Sequence, residues 1–311
     1  MSMHEHSSAD SHIGGFGLAL GLTLAFAFIE AAGGLWSGSL ALLSDAGHMF
    51  TDSLGLVLAT IAAKLAARPV SQRHSFGYAR AEVICAFLNS LIMIGLIISI
   101  IIGAIIRLKI PHPVQGGYVF IIASIGLATN LAIAWSLSKQ EDNINIRAAL
   151  LHVLGDMLGS IAALIAGAVI FFTGYLAIDP ILSLAVAGLI LWSAIRLLRE
   201  SLHILMEGVP TQIDINTVAA GLMKHAPAET EIHDIHIWTL TSGSIALSAH
   251  VRINNLALWP ELLPQLCKWL AETWGIKHVT LQPEPLWQKI SFTPYADWVR
   301  KPLSPPRKTQ H

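Results

Sequence analysis

Charge is scarce in this sequence. Of its 311 residues only 13% are Asp, Glu, Lys or Arg, and 19 basic against 20 acidic side chains leave a formal net charge of −1. No basic excess marks a nucleic-acid partner, and no acidic block marks a solvated tail. Cysteine is almost missing: Cys85 stands in an apolar run and Cys267 near the end. They form no CxxC pair and no disulfide framework. HExxH, the helical signature of zinc peptidases, does not occur. The first apolar run has neither a basic flank nor an A-x-A-like cleavage site, so it is expected to be a retained helix and not a signal peptide.

What fills the space is hydrocarbon. Hydrophobic residues make up 54% of the chain and the mean hydropathy is +0.61, a composition of membrane proteins. Six apolar segments can be marked, at about Ile13–Trp36, Leu40–Leu65, Val83–Ile106, Gly117–Leu137, Ile146–Phe172 and Ile178–Leu198. At about 1.5 Å per residue each can cross a hydrocarbon core of roughly 30 Å. Inside lipid such lengths must be helical, because the backbone has to satisfy its own hydrogen bonds, and nothing alternates as a barrel strand would. Lys64, Arg68, Arg73 and Arg80 gather after the second segment; Lys139, Arg147, Arg196 and Arg199 fall on the same side. Only Arg107 and Lys109 oppose them. The basic side is the expected cytoplasmic side, with both termini on it.

Past Leu205 the pattern changes. "DINTVAAGLMKHA" opens with a cap-like Asp214, and "SIALSAHVRI" places Ile245, Leu247, Ala249, Val251 and Ile253 on one face of a strand. A helix follows Pro260 at about Glu261–Thr273, and "KHVTLQPE" reads as a last strand. The fold expected is therefore an α-helical membrane protein with six transmembrane helices plus a small α+β domain of α-β-β-α-β order, ferredoxin-like in outline. The expected divisions are a flexible His-containing start at 1–12, the six-helix domain at 13–208, the cytoplasmic domain at 209–290 and a disordered Pro-rich basic tail at 291–311.

Two nonapeptides break the apolar runs. "GHMFTDSLG" holds His48 and Asp52, and "LHVLGDMLG" holds His152 and Asp156. Residues four apart share a helix face. A central Asp costs about 2.5–3.5 kcal/mol on insertion scales, so two of them beside two histidines are costly unless they do something. Two helices side by side would offer two imidazoles and two carboxylates, a tetrahedral N/O set that suits zinc and disfavours copper(I). An intramembrane metalloenzyme would need an open coordination position and a base; a membrane-anchored zinc sensor would not need ligands in mid-membrane. Transport is the reading that uses them.

The stretches "SGSLALLSDAGHMFTDSLGL", "RHSFGYARAE" and "HDIHIWTLTSG", in that order among six spans, resemble the cation diffusion facilitator family, and in particular its bacterial zinc exporters. The resemblance runs from about Ile13 to Glu284. It implies a homodimeric exporter of divalent zinc in a bacterial inner membrane, surrounded by lipid and driven by protons as counter-ion. It implies an ion held between helices two and five by His48, Asp52, His152 and Asp156, with the histidine at the first position favouring zinc over cadmium. It implies an inter-subunit charge interlock of Arg80 with Glu207. It further implies a regulatory zinc in the cytoplasmic domain on His233, His250, His278 and Glu284. Strand parity alone selects His236 instead of His233, since Ile235 and Ile237 mark the opposite face; both remain open. Where some members hold a further metal, this chain has Ser71, His74 and Tyr78, and His74 is expected to be structural. Asp45 is expected near water at the outer end of helix two as a gate or cap. Glu30 and Asn130 are expected to hydrogen-bond between helices, and Asp179 with Pro180 to be an ordinary helix start.

Overall fold

The computed structural model describes residues 6–138, 144–241 and 243–287; for 6–20, 22, 144–149, 151 and 152 it describes the backbone alone. The tail at 291–311 lies outside the described residues. The chain divides into two compact units that part between Leu202 and His203.

Each expected apolar segment is a helix in the first unit: α1 His6–Ser37, α2 Leu40–Ala66, α3 Ala81–Lys109, α4 Gly116–Ser138, α5 Ile144–Thr173 and α6 Ile178–Leu205. Five of them contain a stretch long and apolar enough to cross a membrane, and α1 adds a shorter one at Thr23–Ser37. Helix α1 already begins at His6, inside the start expected to be flexible. Extending a formed helix by one residue costs far less than nucleating it, so the apolar run carries the helix backward past its own hydrophobic limit.

Local chemistry sets the ends. The Ser39 hydroxyl accepts the N–H of Leu42 at 3.3 Å and caps α2. Lys64 sits in the last turn of α2, and Arg107 and Lys109 in that of α3, where the helix dipole favours cations. Helices α4 and α5 touch backbone to backbone. A Cβ on Gly116 would fall 2.8 Å from the carbonyl of Gly167, and one on Gly167 would fall 2.9 Å from Phe120 Cα. Only glycine permits that approach. The α2 helix is central. Leu42 and Ala41 pack with Val119 and Ala123 of α4 and Ala163 of α5. Leu40 joins α3 and α6 through Ile97, Ile100, Ala187 and Ala194. Large apolar side chains such as Trp36, Phe172 and Trp192 stay exposed on the outside, as lipid-facing residues do.

The second unit contains α7 Ile215–His225, β1 Glu231–Thr241, β2 Ser244–Ile253, a short 3-10 turn at Leu256–Leu258, α8 Trp259–Trp274 and β3 Ile276–Pro285. This is the α-β-β-α-β order. Strand β2 is central, antiparallel to β1 and parallel to β3. Its alternation fills the core as expected: Leu247, Ala249, Val251 and Ile253 meet Val218 and Leu222 of α7 and Leu262, Leu266 and Leu270 of α8. Each fully buried Leu contributes about 1.5–3 kcal/mol of transfer free energy. Asp214 caps α7 through the Thr217 N–H at 2.9 Å.

One irregularity decides the register. Between His233 and His236 the β1 ladder shifts: His233 pairs with His250, and His236 with Ser248. Three steps on β1 thus match two on β2, which is a bulge, and Asp234 takes the left-handed conformation there with φ of 49°.

Candidate metal centres

In the helical unit the structure brings together His48, Asp52 and Asp156. His48 Nε2 lies 3.6 Å from Asp52 Oδ2, one turn on along α2, and 3.6 Å from Asp156 Oδ1 across on α5. All three ligand atoms lie within 4.8 Å of one another. Donors bound tetrahedrally to zinc at about 2.0–2.2 Å stand roughly 3.3–3.6 Å apart, so a zinc ion fits with little rearrangement. The fourth expected donor, His152, is on the same helix as Asp156, but its side chain lies outside the described residues. A cavity of about 310 Å³ opens onto the cluster, lined by His48 and Asp52 of α2, Asn89, Ser90 and Met93 of α3, and Ser193, Ala194 and Leu197 of α6.

Three sequence expectations around this cluster need correcting. Asp45 is not near water: it is 2% exposed, and its Oδ2 accepts the Ser160 hydroxyl at 3.0 Å. Its neighbour Gly159 has no room for a side chain, because a Cβ there would overlap the Asp45 carboxylate. Asn130 does bond between helices, donating to Ser160 Oγ at 3.4 Å, but both oxygens of the fully buried Glu30 lack a hydrogen-bond partner among the described residues. Asp179 is more than a helix start. It is fully buried, accepts the Ser39 hydroxyl at 2.5 Å and the N–H groups of Leu40 and Ala41 at 2.8 and 3.2 Å, and lies 3.7 Å from Arg107 Nη1. It caps the helix that carries His48 and Asp52. The Asp-Pro pair was visible in the sequence, and its partner 139 residues away was not.

In the C-terminal unit the structure assembles His233, His250 and Glu284. His233 Nε2 is 2.9 Å from Glu284 Oε2, and His250 Nδ1 is 2.6 Å from Glu284 Oε1. Arg252 Nε donates to the same carboxylate at 3.1 Å. Burial raises the Glu284 pKa, but the bonds from His233, His250 and Arg252 outweigh it and hold the carboxyl below the usual glutamate value. Glu284 is fully buried rather than on a polar strand face. Two imidazoles and an ionised carboxylate make a zinc-type donor set, here closed by hydrogen bonds. Parity misjudged β1: the bulge at Asp234 turns His233 toward His250, while His236 bonds Asp234 Oδ1 at 3.1 Å. His278 is not brought to the cluster. It is exposed and pairs with Ala246, whereas Gln282 is the residue opposite His250. At about 3.3 Å per residue the six-residue offset from Glu284 spans roughly 20 Å.

His74 sits in a turn, its N–H bonded to Ser71 Oγ at 3.2 Å and its ring 4.6 Å from that of Tyr78. Arg80 precedes α3 and is half-buried; Glu207 is exposed just past α6, with φ of 59°.

Residues 18–206 match the cation efflux transmembrane domain, and residues 210–286 match the cytoplasmic domain of cation efflux proteins. The chain belongs to the cation efflux family. As a family member it is a transporter rather than an enzyme, with a helical membrane domain followed by a small α/β domain. This cation efflux protein is 39% identical over 289 residues to the zinc transporter ZitB of Escherichia coli, covering 90% of this chain and 92% of that one. It is 37% identical to the metal cation efflux system protein CzcD of Cupriavidus metallidurans, covering 90% and 89%. With the cadmium, cobalt and zinc/H(+)-K(+) antiporter of Bacillus velezensis it shares 42% identity, over 83% of this chain and 84% of that one.

Proposed function

We propose that this cation efflux protein exports zinc from the bacterial cytoplasm in exchange for protons, with alternating access at His48, Asp52, His152 and Asp156. The observation that carries the reading is the His48 imidazole 3.6 Å from carboxylates on two different helices. Relatives named as zinc transporters, and one named as a zinc/H(+)-K(+) antiporter, support the cargo and the exchange.

The chemistry follows from the donor set. Zinc takes neutral imidazole and ionised carboxylate, so metal and protons compete for the same side chains. With the basic loops inward, the cavity beside His48 and Asp52 admits zinc from the cytoplasmic side. Rocking to the outward state exposes the cluster to the proton supply, and protonation of His48 removes its lone pair from the metal. A proton gradient thereby drives zinc out.

The remaining assignments belong to the same reading. Both termini face the cytoplasm, and two copies pair in the inner membrane, with Arg80 and Glu207 as their charge interlock. A regulatory zinc in the C-terminal domain would be held by His233, His250 and Glu284, with Arg252 yielding its bond. The test is zinc uptake into inside-out vesicles with and without an imposed pH gradient. Uptake that requires the gradient is the expected result; gradient-independent uptake would remove proton coupling, and no uptake would remove transport.

A further inference from the structure

Arg252 stands in the middle of a row of charge. It lies on the central strand β2, and the ladder pairs it with Glu231 of β1 on one side and with Glu284 of β3 on the other. Side chains at paired positions share one face of a sheet. The guanidinium uses both partners: Nε donates to Glu284 Oε2 at 3.1 Å, and Nη1 to Glu231 Oε2 at 3.5 Å. The two carboxylates differ in their surroundings. The Glu284 side chain is fully buried and that of Glu231 is 59% exposed, with Arg252 between them at 22%.

The neighbouring row on β1 and β2 is His233 opposite His250, and both imidazoles reach Glu284. Glu284 therefore serves two purposes at once. It is the one carboxylate of the candidate zinc-type donor set and the buried anchor of Arg252. Its Oε2 is the contested atom, since His233 and Arg252 both bond there. A zinc ion held through this carboxylate at about 2.0–2.2 Å would stand within roughly 5 Å of Arg252 Nε if the arginine stayed in place. Like charges so close, away from bulk water, repel strongly. A guanidinium cannot relieve that by losing its proton. It can only move. Glu231 gives it somewhere to go: an exposed carboxylate already in contact, to which the planar fork can bond through two N–H groups.

We propose that Arg252 is a resident counter-cation of the C-terminal zinc site, held on Glu284 while zinc is absent and transferred to Glu231 when zinc binds. The inference rests on reading His233, His250 and Glu284 as a regulatory zinc site. Zinc must then displace a positive charge as well as coordinate its donors, so Arg252 sets the zinc level at which the site fills. Removing the charge makes the site fill at lower zinc. Removing the partner that receives it makes the site fill at higher zinc.

Isothermal titration of the full-length protein in detergent with zinc isolates this site as the binding component that His233→Ala abolishes. In that component Arg252→Gln should bind zinc about tenfold more tightly than the wild type, while Arg252→Lys, which keeps the charge, should not. Glu231→Gln should weaken binding by about fivefold or more, and should have no effect once Arg252→Gln is present, because no charge then needs the second carboxylate. A merely structural role for Arg252 predicts the opposite sign, since loss of its bond would leave Glu284 less firmly held and zinc binding weaker. Unchanged or weaker binding by Arg252→Gln overturns the proposal, as does an equal effect of Glu231→Gln in both backgrounds. Should Arg252→Gln fail to fold, Glu231→Gln, on an exposed side chain, decides alone, and wild-type affinity in that variant overturns the proposal. Absence from the wild type of any binding component that depends on His233 would instead bring down the regulatory-site reading on which the inference rests.

Discussion

Asp179 Oδ2 accepts the backbone N–H of Leu40 at 2.8 Å, joining the first residue of α2 to the start of α6 across 139 positions of sequence. Its other bonds are to Ser39 and Ala41, and Arg107 of α3 reaches both this carboxylate and the carbonyl of Gly38. One buried carboxylate therefore satisfies the first two free N–H groups of α2 and ties three helices together at one end. Hydrogen bonds to charged groups contribute about 1.5–3 kcal/mol each, and removing one partner of a buried pair costs about 3–5 kcal/mol. Asp179→Ala should lower the melting temperature of the detergent-solubilised protein more than Asp179→Asn does, and both should slow zinc flux. Wild-type melting in Asp179→Ala would show that the cap is not structural.

Removing Asp156 should have the opposite balance of effects. Its carboxylate faces His48 rather than closing a helix end, so α5 does not depend on it. Asp156→Ala should express and remain folded by thermal scan, yet lose zinc flux by at least about tenfold, the size expected when a metal ligand or its close support is lost. Flux at the wild-type rate would take Asp156 out of the mechanism.

Metal choice should turn on His48. Its Nε2 is the atom shared by both carboxylate contacts. Replacing imidazole by a further carboxylate makes the cluster more anionic and changes its bite. The family resemblance links a histidine here to zinc over cadmium, so His48→Asp should admit cadmium. Competition uptake in vesicles measures it, and an unchanged preference for zinc would assign selectivity elsewhere.

Acid should loosen α7 in a way set by Asp214. The Thr217 hydroxyl and then the Thr217 N–H hold this carboxyl below its usual value of 3.8. A carboxyl with a lowered folded-state pKa stabilises fully above the unfolded value and loses that contribution as pH falls through the folded one. The contribution is therefore complete above pH 3.8 and fades below it. Asp214→Asn still caps but does not titrate, so its denaturation midpoint should change less over that acid range. Parallel acid slopes for the two proteins would deny Asp214 that role.

These residues show where sequence reading succeeds and where it stops. Length and apolar composition marked all six helices of the first unit, and alternation marked the core face of β2, because burial acts on whole elements. The i, i+4 pair His48–Asp52 was legible for the same reason: one helix carries both. Long-range partners were not legible. Asp179 reads as the start of its own helix, and nothing nearby in sequence names Leu40. Parity failed at His233 because a single extra residue at Asp234 reverses the faces of a strand. Glu30 was assigned hydrogen bonds by general expectation, and only the structure shows that its oxygens have no such partner among the described residues.

The C-terminal cluster should sense zinc rather than carry it. Its donors sit on three different strands, with Glu284 as the hub of bonds from His233, His250 and Arg252. Those bonds, at 2.6 and 2.9 Å for the histidines, are shorter than the spacing of roughly 3.3–3.6 Å that ligands take around one zinc ion. Zinc entry therefore requires His233, His250 and Glu284 to move slightly apart and displaces the proton shared by each pair. That movement can bias a dimer between two arrangements only if zinc binds one of them more tightly. His250→Ala combined with Glu284→Gln keeps the volume of the buried side chain but removes two donors. The double variant should transport nearly as well as the wild type at saturating zinc and markedly less at limiting zinc. Distances between spin labels on the C-terminal domains of paired subunits should shorten with zinc in the wild type and change less in the variant. Unchanged closure in the variant would leave these histidines as ordinary hydrogen-bond donors to Glu284, with regulation residing elsewhere.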